Sequence, residues 1–435
     1  MPIDIWTRLK PWRAIRCPFC FERFRAYEMH MRCQSSICRA DYSRGIPDPI
    51  LDRATQGARA GKSARGSTIP RPWWTDPRRD KSRGIFRFLD YFILPRSVIC
   101  AKCERPVDTR LCPRCHAILP ESVVKLAAGH VAILGPQSVG KTTFITVLIH
   151  ECDHKIGPEH GFVLDPLTDE IRERYESHYH SFTYGGVSGG GGEPSGYAAA
   201  PRRISHMGTP GVDTNPEILK PLVFRLMRRG EGRITGTLLS FFDSAGEDWE
   251  MNVDRLRSEA LYIKHARGIL FLLDPLRIRA VMSDPRIRLT EKERHVASAD
   301  YLDDARKLAT FFPDQTDKPT RTPLAICLNK LDRWGKLMEP GSAIHTWACS
   351  VPSRPADREL DATIDREVRK SLERWGAAGF LEYVAVKFPN HRFFVCSALG
   401  DAAQERDDAP QPLPTPLLVD RPLLWLLQRQ GVLRD

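Results

Sequence analysis

The stretch Gly135-Pro136-Gln137-Ser138-Val139-Gly140-Lys141-Thr142 constrains this chain more than any other. It follows the apolar run Val131-Ala132-Ile133-Leu134 and leads into Phe144-Ile145-Thr146-Val147-Leu148-Ile149, so the local pattern is strand, glycine-rich turn, helix. A turn of this composition curls the backbone so that successive amides point inward at phosphate oxygens, and the helix N-terminus behind it adds partial positive charge. Gly135 to Thr143 are therefore the candidate phosphate-binding segment, with Lys141 reaching the β- and γ-phosphates and Thr142 binding Mg²⁺. A glycine turn that enters a helix without a ligand is the plain alternative.

Further pieces follow in sequence order, each behind its own apolar run. Asp243-Ser244-Ala245-Gly246 ends the run Leu238 to Phe242; Asp243 can hold Mg²⁺ through water, and the Gly246 amide can meet the γ-phosphate. Asn329-Lys330-Leu331-Asp332 ends the run Leu324 to Leu328. A carboxylate at Asp332 can accept hydrogen bonds from the N1–H and the 2-amino group of guanine, a donor pair that adenine lacks. Asn329 would orient the turn and the base, and the Lys330 stem would pack over the ring. Ser397-Ala398 ends the run Arg392 to Cys396, where a backbone amide can meet the guanine carbonyl.

The N-terminal third carries different chemistry. Cys100 with Cys103 and Cys112 with Cys115 are CxxC knuckles across a short basic hairpin, the spacing of a zinc ribbon with four thiolate ligands. Cys17 and Cys20 begin a second set, completed by Cys33 and Cys38, with His30 as a substitute ligand. Zn²⁺ is expected at both. The chain shows no secretory apolar region and its first residues carry no targeting pattern, so a reducing cytoplasm is expected and disulfides are not. Cys327 and Cys396 lie in apolar runs and read as core residues, while the pairs His150/His154 and His178/His180 lack a third ligand and read as surface histidines.

The motifs together resemble the translation-factor-related class of P-loop GTPases, from about Val131 to the C-terminus. Zinc-ribbon pairs ahead of such a domain, with the run Leu423-Leu424-Trp425-Leu426-Leu427 near the end, resemble the bacterial double-GTPase family, type two, found in regulatory and conflict operons beside GTPase-activating partners. The resemblance implies a P-loop GTPase fold preceded by two small zinc-ribbon modules, and a GTP-binding, GTP-hydrolysing molecular switch that uses GTP, Mg²⁺ and Zn²⁺. It implies catalytic roles for Lys141, Gly246 and Glu247 and for a switch threonine on Mg²⁺, with Thr214 fitting best and Thr209 as the alternative. Glu247 stands where many such enzymes carry a water-positioning glutamine, and a carboxylate near the γ-phosphate implies slow hydrolysis without an activating protein. The competing class is a nucleic-acid- or protein-binding scaffold whose ribbons act and which holds GTP with little turnover.

With 435 residues, 42% hydrophobic, the chain is long enough for one large α/β domain and small satellites. Apolar runs alternate with helical stretches such as Asp300 to Phe311 and Asp361 to Trp375, which implies a mostly parallel sheet covered by helices on both faces. The expected boundaries are a ribbon-like module at 12–42, a basic linker at 43–97, a zinc ribbon at 98–120 and the nucleotide domain at 121–435. The net charge is +11, and much of the excess lies in the N-terminal part, which could attract nucleic acid through its phosphates. The run Leu423 to Leu427 is too short to span a membrane and reads as a helix that closes the sheet.

Overall fold

The computed structural model describes residues 14–19, 21–33, 68–69, 97–100, 103–114, 117–120, 122–123, 126–136, 138–169, 171–173, 175–176, 179, 221–230, 233–243, 263, 265–289, 291–294, 298, 300–312, 320–349, 357–400 and 415–433. The chain divides into two compact units, one comprising Met1–Ala128, Arg203–Val223 and Gly236–Leu238, the other Gly129–Arg202, Phe224–Thr235 and Leu239–Asp435.

The first unit holds short strands: β1 (Ala14–Arg16), β2 (Arg23–Arg25), β3 (His30–Arg32), β4 (Thr68–Ile69), β5 (Val98–Ile99), β6 (Pro106–Val107), β7 (Arg110–Leu111) and β8 (Ile118–Leu119). β1 and β2 form an antiparallel hairpin, β5 and β6 another, and β4-β3-β7-β8 a four-stranded sheet. Strands of two or three residues bury too little side chain to hold a sheet by packing alone, so other staples are needed.

The larger sheet has seven strands in the order β10-β11-β12-β9-β13-β14-β15. Their ranges are β9 (Ala127–Leu134), β10 (Phe162–Pro166), β11 (Leu222–Gly230), β12 (Arg233–Asp243), β13 (Gly268–Leu273), β14 (Leu324–Leu328) and β15 (His391–Val395). β9, β13, β14 and β15 run parallel in succession, and every residue of β13 and β14 is buried, as continuous apolar runs require when helices cover both faces. At the other edge β10 pairs antiparallel with β11, and Phe162 and Leu164 are buried while Val163 between them is exposed, so this edge strand follows a period of two. The architecture is α/β with a mostly parallel sheet, as the alternation of apolar runs and helical stretches implies.

The principal helices are α1 (Lys141–Glu151), α2 (Tyr301–Thr310), α3 (Leu331–Trp334), α4 (Ala343–Cys349), α5 (Arg358–Arg374), α6 (Ala378–Lys387) and α7 (Arg421–Arg429). Side-chain carboxylates cap two of them: Asp300 accepts from the Leu302 and Asp303 amides ahead of α2, and Asp357 from the Leu360 amide ahead of α5. Leu423 to Leu427 are all buried in α7, which packs on β13 and β14. Among the described residues no helix is long and apolar enough to cross a membrane.

A buried ion pair fastens α7 to α5. Arg421 Nε lies 2.9 Å from Asp361 Oδ1 and Arg421 Nη2 2.7 Å from Oδ2, with both side chains buried. Replacing Arg421 by Ala strands a carboxylate and is expected to cost about 3–5 kcal/mol in denaturant unfolding, whereas Arg421→Met/Asp361→Leu is expected to recover most of that loss. Equal losses in the single and double variants would mean that the pair contributes through its shape and not its charge.

Candidate functional site

Because β9, β13, β14 and β15 are parallel, their carboxyl ends meet at one edge of the sheet, the place where open α/β sheets present ligand-binding turns. The turn 135–140 follows β9, Asp274 follows β13, Asn329 to Asp332 follow β14, and Ser397 follows Cys396 after β15.

The first turn depends on glycine. A Cβ at Gly135 would stand 2.4 Å from the Leu272 carbonyl oxygen, and Gly140 holds a φ of +87° where α1 begins. Lys141 is buried, and its ammonium donates to the carbonyls of Gly135 at 2.8 Å and Pro136 at 2.9 Å, which places a positive charge inside the curl of the turn. Thr142 and Thr143 stand half-buried in the first turn of α1.

Asn329 joins the strand ends. Its side-chain Nδ2 donates to the Val139 carbonyl at 2.8 Å, its backbone N–H to the Leu273 carbonyl at 2.9 Å, and its own carbonyl accepts from Trp334 Nε1 at 2.7 Å. Cys396 Sγ lies 3.4 Å from Asn329 Oδ1. Lys330 adopts a φ of +59°, and its ammonium reaches Asp274 Oδ2 at 2.7 Å and Glu293 Oε1 at 3.5 Å. Arg333 meets the same Glu293 at 3.2 Å. Asp274 is 4% exposed and also accepts from the Leu276 amide at 3.0 Å, so its carboxylate is satisfied by a backbone donor and a cation together.

Asp332 is buried and accepts a short hydrogen bond from the Ser397 hydroxyl, which itself accepts from the Gly400 amide at 2.9 Å. Burial pushes the Asp332 carboxyl above its usual range, and the bond from Ser397 pulls in the opposite direction. The Asp332 backbone amide and the nearby Arg333 and Lys330 charges act in the same direction as Ser397 but do not offset the burial, and a carboxylate so placed is suited to a ligand that brings N–H donors.

Sequence reasoning placed Asn329, Asp332 and Ser397 at adjacent strand ends but assigned Ser397 only a backbone role; its hydroxyl positions Asp332. It missed Asp274 and Glu293. Asp274 had a readable signal, since it directly follows the apolar run Gly268 to Leu273. Lys330, expected to stack on a base, has its ammonium paired with Asp274. Asp243 ends β12, while Gln137, Thr209, Thr214, Gly246 and Glu247 lie outside the described residues.

Cys33, Cys100 and Cys103 bring their sulfurs within 4.8 Å of one another, across the two sets that spacing suggested. Cys17 and Cys112 are buried, and Cys20, Cys38 and Cys115 lie outside the described residues. His30 lies on β3, and His150 stacks on His154 with ring centroids 4.1 Å apart.

No family model matches the chain. A protein of Mycolicibacterium smegmatis bearing the name of a proposed ESX-1 scaffolding and assembly protein, SaeC, is 27% identical over 308 residues, which are 67% of this chain and 72% of that protein. These findings correct the expectation of a GTPase of the double-GTPase family and of a GTP-hydrolysing switch that awaits an activating protein: the relative is named for scaffolding and assembly and not for catalysis. The physical reason is that strand-end turns of this kind provide binding geometry, and binding a ligand does not by itself imply turning it over.

The raised carboxyl of Asp332 makes a prediction about the ligand-free protein. Between the ordinary carboxylate range and the raised folded value, the folded state binds the proton more tightly than the unfolded chain, so this group's contribution to stability falls as pH rises through that window. Asp332→Asn removes the titration while keeping an acceptor for Ser397. The variant is expected to melt no lower than the parent at neutral pH, with a flatter dependence on pH; a loss above about 1 kcal/mol would show that the carboxylate serves the fold.

Proposed function

We propose that this chain has a scaffolding and assembly role of the ESX-1 kind, working with partner proteins, and that its strand-end turns hold a guanine nucleotide with Mg²⁺ as a bound ligand. Support for the role comes from the match to the Mycolicibacterium smegmatis protein, which extends over about two thirds of both chains. The observation that carries the ligand is the joined geometry of two turns: Asn329 ties its own turn to the one preceding Lys141, and Ser397 holds the buried Asp332 beside it.

The residues present fit such a ligand. Gly135 lets the turn pass close to the Leu272 carbonyl, and Gly140 takes a φ of +87° where α1 begins, a backbone curl whose amides can face phosphate oxygens. Lys141 would exchange its two loop carbonyls for phosphate oxygens, and Thr142 and Asp243 would hold Mg²⁺, which supplies charge neutralisation. Asp332 would take the N1–H and 2-amino protons of guanine, and the amides at Ser397 and Ala398 the ring carbonyl. A ligand that binds only the folded state at a hundred times its Kd adds about 2.7 kcal/mol of stability, so the nucleotide would stabilise the folded chain.

Nucleotide competition on the full chain tests the ligand. GTP is expected to bind and ATP not, Lys141→Ala to lose most of the affinity, and Asp332→Asn to lose GTP and gain xanthosine triphosphate, whose base carries a carbonyl where guanine has its amino group. A parent that binds ATP equally well, or an Asp332→Asn variant that keeps its preference for GTP, would end this reading of the turns. The role is tested apart from the ligand by deleting the chain in its source cells. Loss of an ESX-1-type assembly on native gels is the expected result, and an unaltered assembly is the contrary one.

A further inference from the structure

We infer that Cys33, Cys100 and Cys103 together hold one thiophilic divalent cation, Zn²⁺ by its chemistry, and that this ion clamps two cysteine-bearing segments which sequence spacing assigns to separate sites. The three sulfurs lie within 4.8 Å of one another, and Cys33 Sγ is 3.4 Å from Cys103 Sγ. Thiolates bound at about 2.3 Å to a tetrahedral Zn²⁺ stand about 3.8 Å apart, so the observed spacing suits a shared ion and is far too long for a disulfide. Cys33 and Cys100 are each 1% exposed. Cys103 beside them is partly exposed. Three thiolates this close, two of them buried, repel one another unless a cation is present, and three leave one tetrahedral position for a fourth donor.

The backbone prepares this arrangement on both sides. At Cys100 the amide donates to the Arg105 carbonyl at 3.0 Å and the Glu104 amide returns to the Cys100 carbonyl at 2.9 Å, with Glu104 at a φ of +57°. This tight loop turns Cys100 and Cys103 toward one point. Cys33 arrives from β3, whose register with β7 pairs His30 with Leu111 and Met31 with Arg110, and the Arg32 amide continues the pairing to the Thr109 carbonyl at 2.9 Å. Cys33 therefore leaves the β3–β7 pair at the end where Thr109 follows β6, the strand partner of β5 that leads into Cys100.

The same register sends Cys112, one residue past Leu111, to the opposite end of that pair. Continued by the Arg32–Thr109 pairing, the register sets Cys33 opposite Asp108, four residue steps from Cys112, which is roughly 13 Å along the strand and too far for a common ion. Cys112 and Cys17 both lie among the described residues, and neither belongs to the Cys33 group. Each instead heads a loop of its own, with the Cys17 amide donating to Glu22 and the Cys112 amide to Ala117, both at 3.0 Å. The ion would close a chain loop between positions 70 apart, which gives a sheet of two- and three-residue strands the staple that its packing lacks.

The test uses the full chain with Zn²⁺ exchanged for ¹¹³Cd and cysteine β-carbons labelled. The β-protons of Cys33, Cys100 and Cys103 are expected to correlate with a single cadmium resonance, assigned through Cys→Ser variants. Metal analysis gives a second reading: Cys33→Ser and Cys100→Ser are each expected to lose about one equivalent, and the double variant no more than either. Cys33 protons on a different cadmium from those of Cys100, additive metal loss in the double variant, or a full chain that binds neither metal would each overturn the assignment. The cadmium experiment on the unaltered protein decides the matter even if the variants fail to fold.

Discussion

One hydrogen bond, from the Asn329 amide to the Val139 carbonyl, does most to make a site of what would otherwise be separate strand ends. It can form because β9 and β14 flank β13 in parallel, so that the turns leaving them emerge at the same edge. The backbone of Asn329 is anchored in turn on Leu273, and its carbonyl on Trp334, which is fully buried. Asn329 is thus fixed from several directions before any ligand arrives, the condition for a site that binds without a large ordering cost.

The polar groups gathered here are expensive to bury. Asp274, Asn329, Asp332 and Ser397 each lose water, and the network of Lys330, Glu293 and Arg333 returns only part of that cost. An apolar edge would make a more stable sheet. Glycine at 135 follows from packing, since a Cβ there would meet the Leu272 carbonyl, whereas a buried carboxyl pushed above its usual range at Asp332 is the kind of cost that binding sites carry. The same restraint applies to turnover: turns at the carboxyl ends of parallel strands readily suggest an enzyme, while the similar protein is named for scaffolding and assembly.

Much of the larger unit was legible because its strands announce themselves. Leu324 to Leu328 and Val131 to Leu134 are apolar without alternation, and only a sheet covered on both faces buries such runs; α7 is read in the same way from Leu423 to Leu427. The carboxyl ends of those runs located Asn329, Asp332 and Ser397. Asp274 was passed over although it holds the same kind of position, because it belongs to no familiar spacing. The cysteines show the limit of spacing itself. Cys33 stands 13 residues beyond Cys20 and 67 ahead of Cys100, and local sequence groups it with its near neighbour, whereas the β3–β7 register, a long-range pairing that no periodicity reveals, delivers it to Cys100 and Cys103.

Hydrogen–deuterium exchange on the full chain with and without GTP bears most directly on the claim that the turns after β9, β14 and β15 form one guanine-nucleotide site. GTP is expected to slow exchange at 138–143, 329–332 and 397–400 together, in the same concentration range, and ATP is not. Unchanged exchange at saturating GTP, protection at the first of these turns alone, or equal protection by ATP would contradict it.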